Sequence, residues 1–169
     1  YAELLHPLEM MAAGKPSAEK LIWTSELEQT FNKAKQATRN IQGIHIPRPT
    51  DILHSYSDFS AANSAVGGKL MIEREEDGIK KMFLAGYFST KLDLHKSRWL
   101  PCEGESLGVR LTIEYFSPLI RESKNTLVHH SDNMPTVQAF NKMKKGAYST
   151  NSRIAAFLSC LSAHDVDLV

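Results

Sequence analysis

The sequence predicts an α/β domain with a mixed sheet covered by helices, in which a three-stranded antiparallel meander is joined by parallel strands. Three observations carry this expectation. Three successive segments read as strands, with Asp77-Gly78 between the second and third. A long helix-periodic segment follows them. From there strand-like and helix-like stretches alternate to the end, the pattern of a sheet with helical crossovers.

The elements follow in order. "YAELLHPLEMMAAGKPS" reads as a short apolar helix or turn running into linker chemistry at Gly14-Lys15-Pro16. "WTSELEQTFNKAKQATRN" carries Ser25 with Glu28 three residues on, a capping box, and apolar Leu27, Phe31, Ala34 and Ala37 at helical spacing. After Pro47 and Pro49, "ILHSYSD" reads as the first strand, and "AVGGKLMIERE" and "KKMFLAGYFS" as a hairpin. "CEGESLGVRLTIEYFSPLI" places Leu107, Leu111, Tyr115 and Leu119 at steps of four, a helix expected to stop near Pro118. "NTLVHHSD" is a strand, and "NMPTVQAFNKMKKG" a helix closed by Gly146. "STNSRIAAFLSCLSAHD" is a helix with Ile154, Phe157, Leu158 and Leu161 on one face, and "DVDLV" opens a last strand. There is no internal repeat and no low-complexity tract.

Composition sets the frame. A chain of 169 residues with 42% hydrophobic content suits one good core plus an appendage. Twenty Lys+Arg against 19 Asp+Glu give a net charge of +1, so nucleic-acid binding has to come from local patches. Cys102 and Cys160 lack zinc-ligand spacing and read as buried thiols in a reducing, intracellular setting. No apolar run approaches a membrane span, the N-terminus has no signal-peptide layout, and the chain opens like a piece of a longer one.

The stretch "YSDFSAANSAVGGKLMI" puts Asp58 at the end of a strand. A lone Asp there suits a turn. Asp132, in "VHHSDN", ends the fourth strand, and Glu105 lies in the first turns of the helix between. With strands one and four as neighbours, these elements point three acids at one spot. Three carboxylates that close repel each other, so they persist where a divalent cation neutralises them, and oxygen ligands favour Mg²⁺ or Mn²⁺ over zinc.

These residues also carry a resemblance. "HPLEMMAAGKPSAEKLIWTSELEQTFNKAKQAT", "YSDFSAANSAVGGKL", "GYFSTKLDLHKSRWLPCEGESLGV" and "HHSDNMPTVQAF", in that order over nearly the whole chain, resemble the ribonuclease H domain of a gypsy-like LTR retroelement reverse transcriptase. The resemblance implies a ribonuclease H-like fold over 50–169, C-terminally incomplete. It also implies a thumb-derived tail over 1–20 and a connecting helix and Pro-rich turn over 21–49. Asp58, Glu105 and Asp132 are then ligands of two Mg²⁺ or Mn²⁺ ions roughly 4 Å apart, which activate a water for in-line attack on the RNA strand of an RNA–DNA hybrid. The implied partners are the hybrid and the polymerase domain in cis, with no membrane. The implied location is intracellular, cytoplasmic or nuclear, with the retroelement particle. The fourth acid or His that the family carries after its last strand is expected beyond Val169.

Glu103 is the rival to Glu105, but a helix turns about 200° over two residues, so only one of them faces the site. Glu105 has the "E-x-x-G" pattern, completed by Gly108. Ser60 and Asn133, each beside a candidate ligand, suit either contacts to the RNA 2′-hydroxyls or turn and cap roles. Lys142, Lys144 and Lys145 suit either phosphate contacts or a solvated helix end that favours cations. Of His129 and His130 at most one joins any site, since neighbours on a strand point oppositely. Trp23 and Trp99 read as packing anchors. Phe59 and Asn63 stand where the family has smaller residues. They keep a second reading open, a catalytically inactive nucleic-acid-binding or structural module.

Overall fold

The computed structural model describes residues 7–8, 10–16, 19–39, 43–92 and 99–169. Parts of the N-terminal motif and residues 93–98, within the motif that leads to Glu105, lie outside the described residues. The chain divides into two compact units, Tyr1–Gly43 and Ile44–Val169.

In the first unit, helix α1 spans Ser25–Arg39. Its cap is one residue earlier than the capping box predicted: Thr24 Oγ1 accepts the Leu27 N–H at 3.3 Å. Glu28 serves other partners, accepting from the Trp23 indole N–H and from Asn32 Nδ2. Trp23 meets Phe31 edge to face at 5.8 Å, a packing role on this helix.

The second unit is a five-stranded sheet in the order β3-β2-β1-β4-β5. Its strands are β1 Ile52–Ser60, β2 Ala65–Glu76, β3 Ile79–Lys91, β4 Leu127–His130 and β5 Val166–Leu168. β1, β2 and β3 pair antiparallel, while β4 runs parallel to β1 and β5 parallel to β4. This is the mixed sheet that the sequence predicts. The β2–β3 turn puts Asp77 at φ 56° and Gly78 at φ 75°, the left-handed pair that a two-residue hairpin of right-twisted strands requires.

Helix α2, Pro101–Arg121, lies on the face that carries Leu53, Ser55 and Phe59. Small residues let it come close. A Cβ on Gly104 would sit 2.1 Å from the Phe59 ring, one on Gly108 3.5 Å from Ser57, and one on Gly68 2.6 Å from Thr112 Oγ1. The step-of-four stripe is only partly its buried face: Leu107 is buried and Leu119 packs against the core, but Tyr115 is 59% exposed, while Val109, Ile113, Phe116 and Ile120 are buried. Steps of four advance about 40° beyond a full turn each, so such a stripe winds off the core. Nor does Pro118 stop the helix. It sits in the last turns, and the carbonyl that loses its partner belongs to exposed Glu114.

Helices α3, Met134–Lys144, and α4, Ser152–Ser159, add Val137, Phe140, Ile154 and Leu158 to the same core. A 3₁₀ turn over Cys160–Ala163 leads into β5. Cys102 and Cys160 are both free and half-buried. Among the described residues no helix is long and apolar enough to cross a membrane.

Candidate active site and metal centre

The site forms where the sheet changes character. β1 has an antiparallel neighbour on one side and a parallel one on the other, and its register with β4 ends at Tyr56/His130. Asp58 and Asp132 each lie two residues beyond that pair, at the carboxyl ends of adjacent parallel strands. In open sheets this is where ligands bind. Both aspartates are exposed.

Glu105 approaches from the other side, in the second turn of α2, and is buried. Its carboxyl accepts the backbone N–H of Phe59, the residue after Asp58. Its Oε2 is buried with no hydrogen-bond partner. Burial is the main force that pushes this carboxyl up from its ordinary 4.5 to about 7, the charge of Asp132 adds to it, and Asp58 contributes less. An orphaned carboxylate oxygen between two further acids is an environment that a hard divalent cation satisfies. As the side chains stand, however, no three His, Cys, Asp or Glu groups among the described residues are gathered tightly enough to chelate one ion.

Glu103 is spent elsewhere. Its carboxylate accepts from Asn151 Nδ2 at 2.9 Å, the Leu100 N–H at 3.0 Å and Arg153 at 3.2 Å. The Asn151 bond does most to hold it below the ordinary range, while desolvation opposes it. Arg153 lies 5.0 Å from the Trp99 ring, which stacks on Phe157 at 5.7 Å. This clasp joins the start of α2 to α4 and gives Trp99 a packing role.

The candidate nucleic-acid contacts have local partners too. Ser60 Oγ accepts from the backbone and side chain of Asn63, a turn role for both. Asn133 caps α3 through the Thr136 N–H at 3.0 Å. Lys144 Nζ binds Asp167 at 2.6 Å and the Val166 carbonyl at 3.0 Å. Lys142 and Lys145 lie at the exposed end of α3. Phe59, large where a small residue was expected, fills the space that Gly104 leaves.

His129 and His130 point to opposite faces, as strand alternation predicts. His129 is fully buried, with Ser55 Oγ 2.8 Å from Nδ1 and Ser57 Oγ 3.1 Å from Nε2, so one ring nitrogen donates and the other accepts. His130 stacks on Tyr56 at 4.6 Å, and Lys69 lies 4.4 Å from the same Tyr56 ring. Beside them an open groove of about 310 Å³ runs past Asp58, floored by Gly67 and bordered by Tyr87. Sequence reading missed the Ser55–His129–Ser57 tie. Its signal was there, two serines at alternate strand positions and a histidine on the neighbouring strand. Asp51, also missed, is buried at the far end of β1 in a two-pronged pair with Arg74; that guanidinium holds its carboxyl below the ordinary range.

The profile of the family described as "RNase H-like domain found in reverse transcriptase" matches residues 23–128, a span that includes Asp58 and Glu105 and ends just before Asp132. Among solved structures the fold matches the protease-reverse transcriptase of prototype foamy virus, native, with TM-score 0.55 and 16% identity, over 99% of this chain and 21% of that one. The foamy viral enzyme in complex with an RNA/DNA hybrid matches at TM-score 0.55 and 14% identity, over 99% and 21%. Its complex with dsDNA matches at TM-score 0.55 and 15%, over 100% and 34%. The chain thus spans between a fifth and about a third of the length of these chains. No curated protein sequence matches it. With well over half of its residues inside the profile, and a sheet and helices arranged as in those structures, the chain belongs to the family of RNase H-like domains found in reverse transcriptase.

Proposed function

We propose that this domain is the ribonuclease H of a gypsy-like LTR retroelement reverse transcriptase, a metal-dependent endonuclease that cuts the RNA strand of RNA–DNA hybrids. The observation that carries the reading is Glu105, with one oxygen unpartnered and its acidity weakened first by burial and then by the charges of Asp132 and Asp58. Structural carboxylates are paired, as Glu103 and Asp51 are here. A buried carboxylate with one oxygen left unpartnered and two further acids acting on it suits a cation site.

Asp58, Glu105 and Asp132 would hold Mg²⁺ or Mn²⁺, and the metal, when bound, would supply an activated water and stabilise the leaving 3′ oxygen. The chain's own part is placement. The Phe59 N–H orients Glu105, and the parallel pairing of β1 with β4 holds the two aspartates on adjacent strand ends. Gly67, opposite Asp58 and with open space above it, leaves room for a sugar-phosphate backbone. The partners in this reading are the hybrid and the polymerase domain of the same polyprotein, and the setting is the intracellular retroelement particle.

A second reading, an inactive connecting module, draws on the carboxylates not being gathered to chelating distance and on Ser60, Asn133 and Lys144 having local partners. Labelled RNA annealed to DNA, incubated with the protein in Mg²⁺, in Mn²⁺ and in EDTA, separates the two. The nuclease reading expects metal-dependent RNA fragments from the hybrid and none from single-stranded RNA. Hybrid bound but uncut under every condition favours the connector.

A further inference from the structure

Asp132 is followed at once by α3, and the first turn of that helix is tied to α2 by a buried polar contact. Thr136, four residues after Asp132, is fully buried. Its Oγ1 lies 2.9 Å from Asn133 Oδ1, 3.3 Å from the Cys102 carbonyl oxygen and 3.3 Å from Ser106 Oγ. Ser106 is buried as well, and its own hydroxyl donates to the Cys102 carbonyl at 2.7 Å. Cys102 and Ser106 bracket Glu105 on the helix, the first three residues before it and the second directly after it. The Thr136 hydroxyl therefore stands between the turn that carries Asp132 and the turn that carries Glu105.

Packing alone does not require this hydroxyl. A valine would fill the same volume, and a polar group between two helices is tolerated only when it is hydrogen-bonded. Hydrogen bonds are directional where apolar contact is not, and although the one Thr136 proton goes to a single acceptor at a time, the hydroxyl contacts across the helix pair constrain how far and at what angle α3 sits from the start of α2. We infer that Thr136 is a positioning residue that holds Glu105 in place against Asp132 for a shared divalent cation. The inference rests on the nuclease reading.

Three variants test it: Thr136→Val, which keeps the shape and removes the hydroxyl, Thr136→Ser, which keeps the hydroxyl, and Ser106→Ala. Mn²⁺ binding to the metal-free protein is followed by electron paramagnetic resonance and calorimetry, alongside hybrid cleavage kinetics and circular dichroism. Loss of a group that orients metal ligands typically costs about tenfold or more in metal affinity. Thr136→Val is expected to stay folded, to bind Mn²⁺ about tenfold more weakly and to lose kcat in proportion, with KM for the hybrid changed less than about threefold. Thr136→Ser restores both. Should Thr136→Val fail to fold, Ser106→Ala is read in the same way. Wild-type Mn²⁺ affinity in Thr136→Val, or a Thr136→Ser as impaired as the valine variant, overturns the inference while wild-type cleavage leaves the nuclease reading standing. A wild-type protein that neither binds Mn²⁺ nor cuts overturns both.

Discussion

Replacing Glu105 with Gln keeps the length of the side chain and removes its charge, so it separates what the carboxylate costs the fold from what it does for function. In the metal-free protein, burial and then the charge of Asp132 raise this carboxyl from 4.5 to about 7. The folded state thus holds a proton that the unfolded chain has already released. The stability linked to that proton is complete below about pH 4.5 and is lost as pH rises to 7. At about 1.4 kcal/mol per pH unit, that interval sets an upper bound of about 3 kcal/mol, and water entering the site lowers it towards about 2 kcal/mol. In EDTA, Glu105→Gln should match the wild type at pH 4 and exceed it by about 2 kcal/mol at pH 8, measured by urea unfolding at both pH values. Mn²⁺ should then reverse the order at pH 8, because at a hundredfold excess over Kd a ligand stabilises by about 2.7 kcal/mol and the variant has lost a ligand. A gap between the two proteins that is the same at pH 4 and pH 8 would refute the reasoning.

Glu103→Gln should cost about 1–2 kcal/mol through the weakened contact with Arg153 and leave hybrid cleavage within a few-fold of wild type, checked by unfolding and gel assay. A larger loss of cleavage than from Glu105→Gln would mean that the ligand had been assigned to the wrong face of α2. Gly104→Ala drives a Cβ into the Phe59 ring and should destabilise by about 1–3 kcal/mol. With Phe59→Ala in the background it should cost much less, an interaction that a double-mutant cycle reads directly. His129 is neutral in the core, held near 3 by burial first and His130 second. Its contribution is therefore complete above pH 6.5 and lost by about 1.4 kcal/mol per pH unit as pH falls from 6.5 towards 3. Its ring protons should show no NMR titration between pH 8 and 4, and a midpoint near 6.5 would contradict the burial.

Much of the sheet was legible because its signals are local. Asp77-Gly78 marks its hairpin by the backbone it requires, and alternation sends His129 inward and His130 outward. The adjacency of Asp58 and Asp132 followed from β1 and β4 being neighbours, which the order of elements suggested. What stayed hidden depends on contacts between distant segments. Leu107, Leu111, Tyr115 and Leu119 look like a face at steps of four, yet the small-residue seam at Gly104 and Gly108 decides which side of α2 meets the sheet. Thr24 rather than Ser25 caps α1 through a local competition, with Glu28 accepting from Trp23 and Asn32. Locally only the E-x-x-G pattern that Gly108 completes separates Glu105 from Glu103. Asn151 and Arg153, some fifty residues on, hold Glu103, while one oxygen of Glu105 has no hydrogen-bond partner. Thr136 is equally silent in sequence, a helix threonine among many, until Cys102 and Ser106 come to rest beside it.

The most direct test of the central claim is anomalous diffraction at the manganese edge from crystals of the protein soaked in Mn²⁺. At least one ion is expected to be ligated jointly by Asp58, Glu105 and Asp132, with Glu105 Oε2 among its donors, and to be lost in Asp132→Asn. A protein that cleaves hybrid while its Mn²⁺ lies away from Glu105, or that leaves these three carboxylates empty at saturating Mn²⁺, would contradict it.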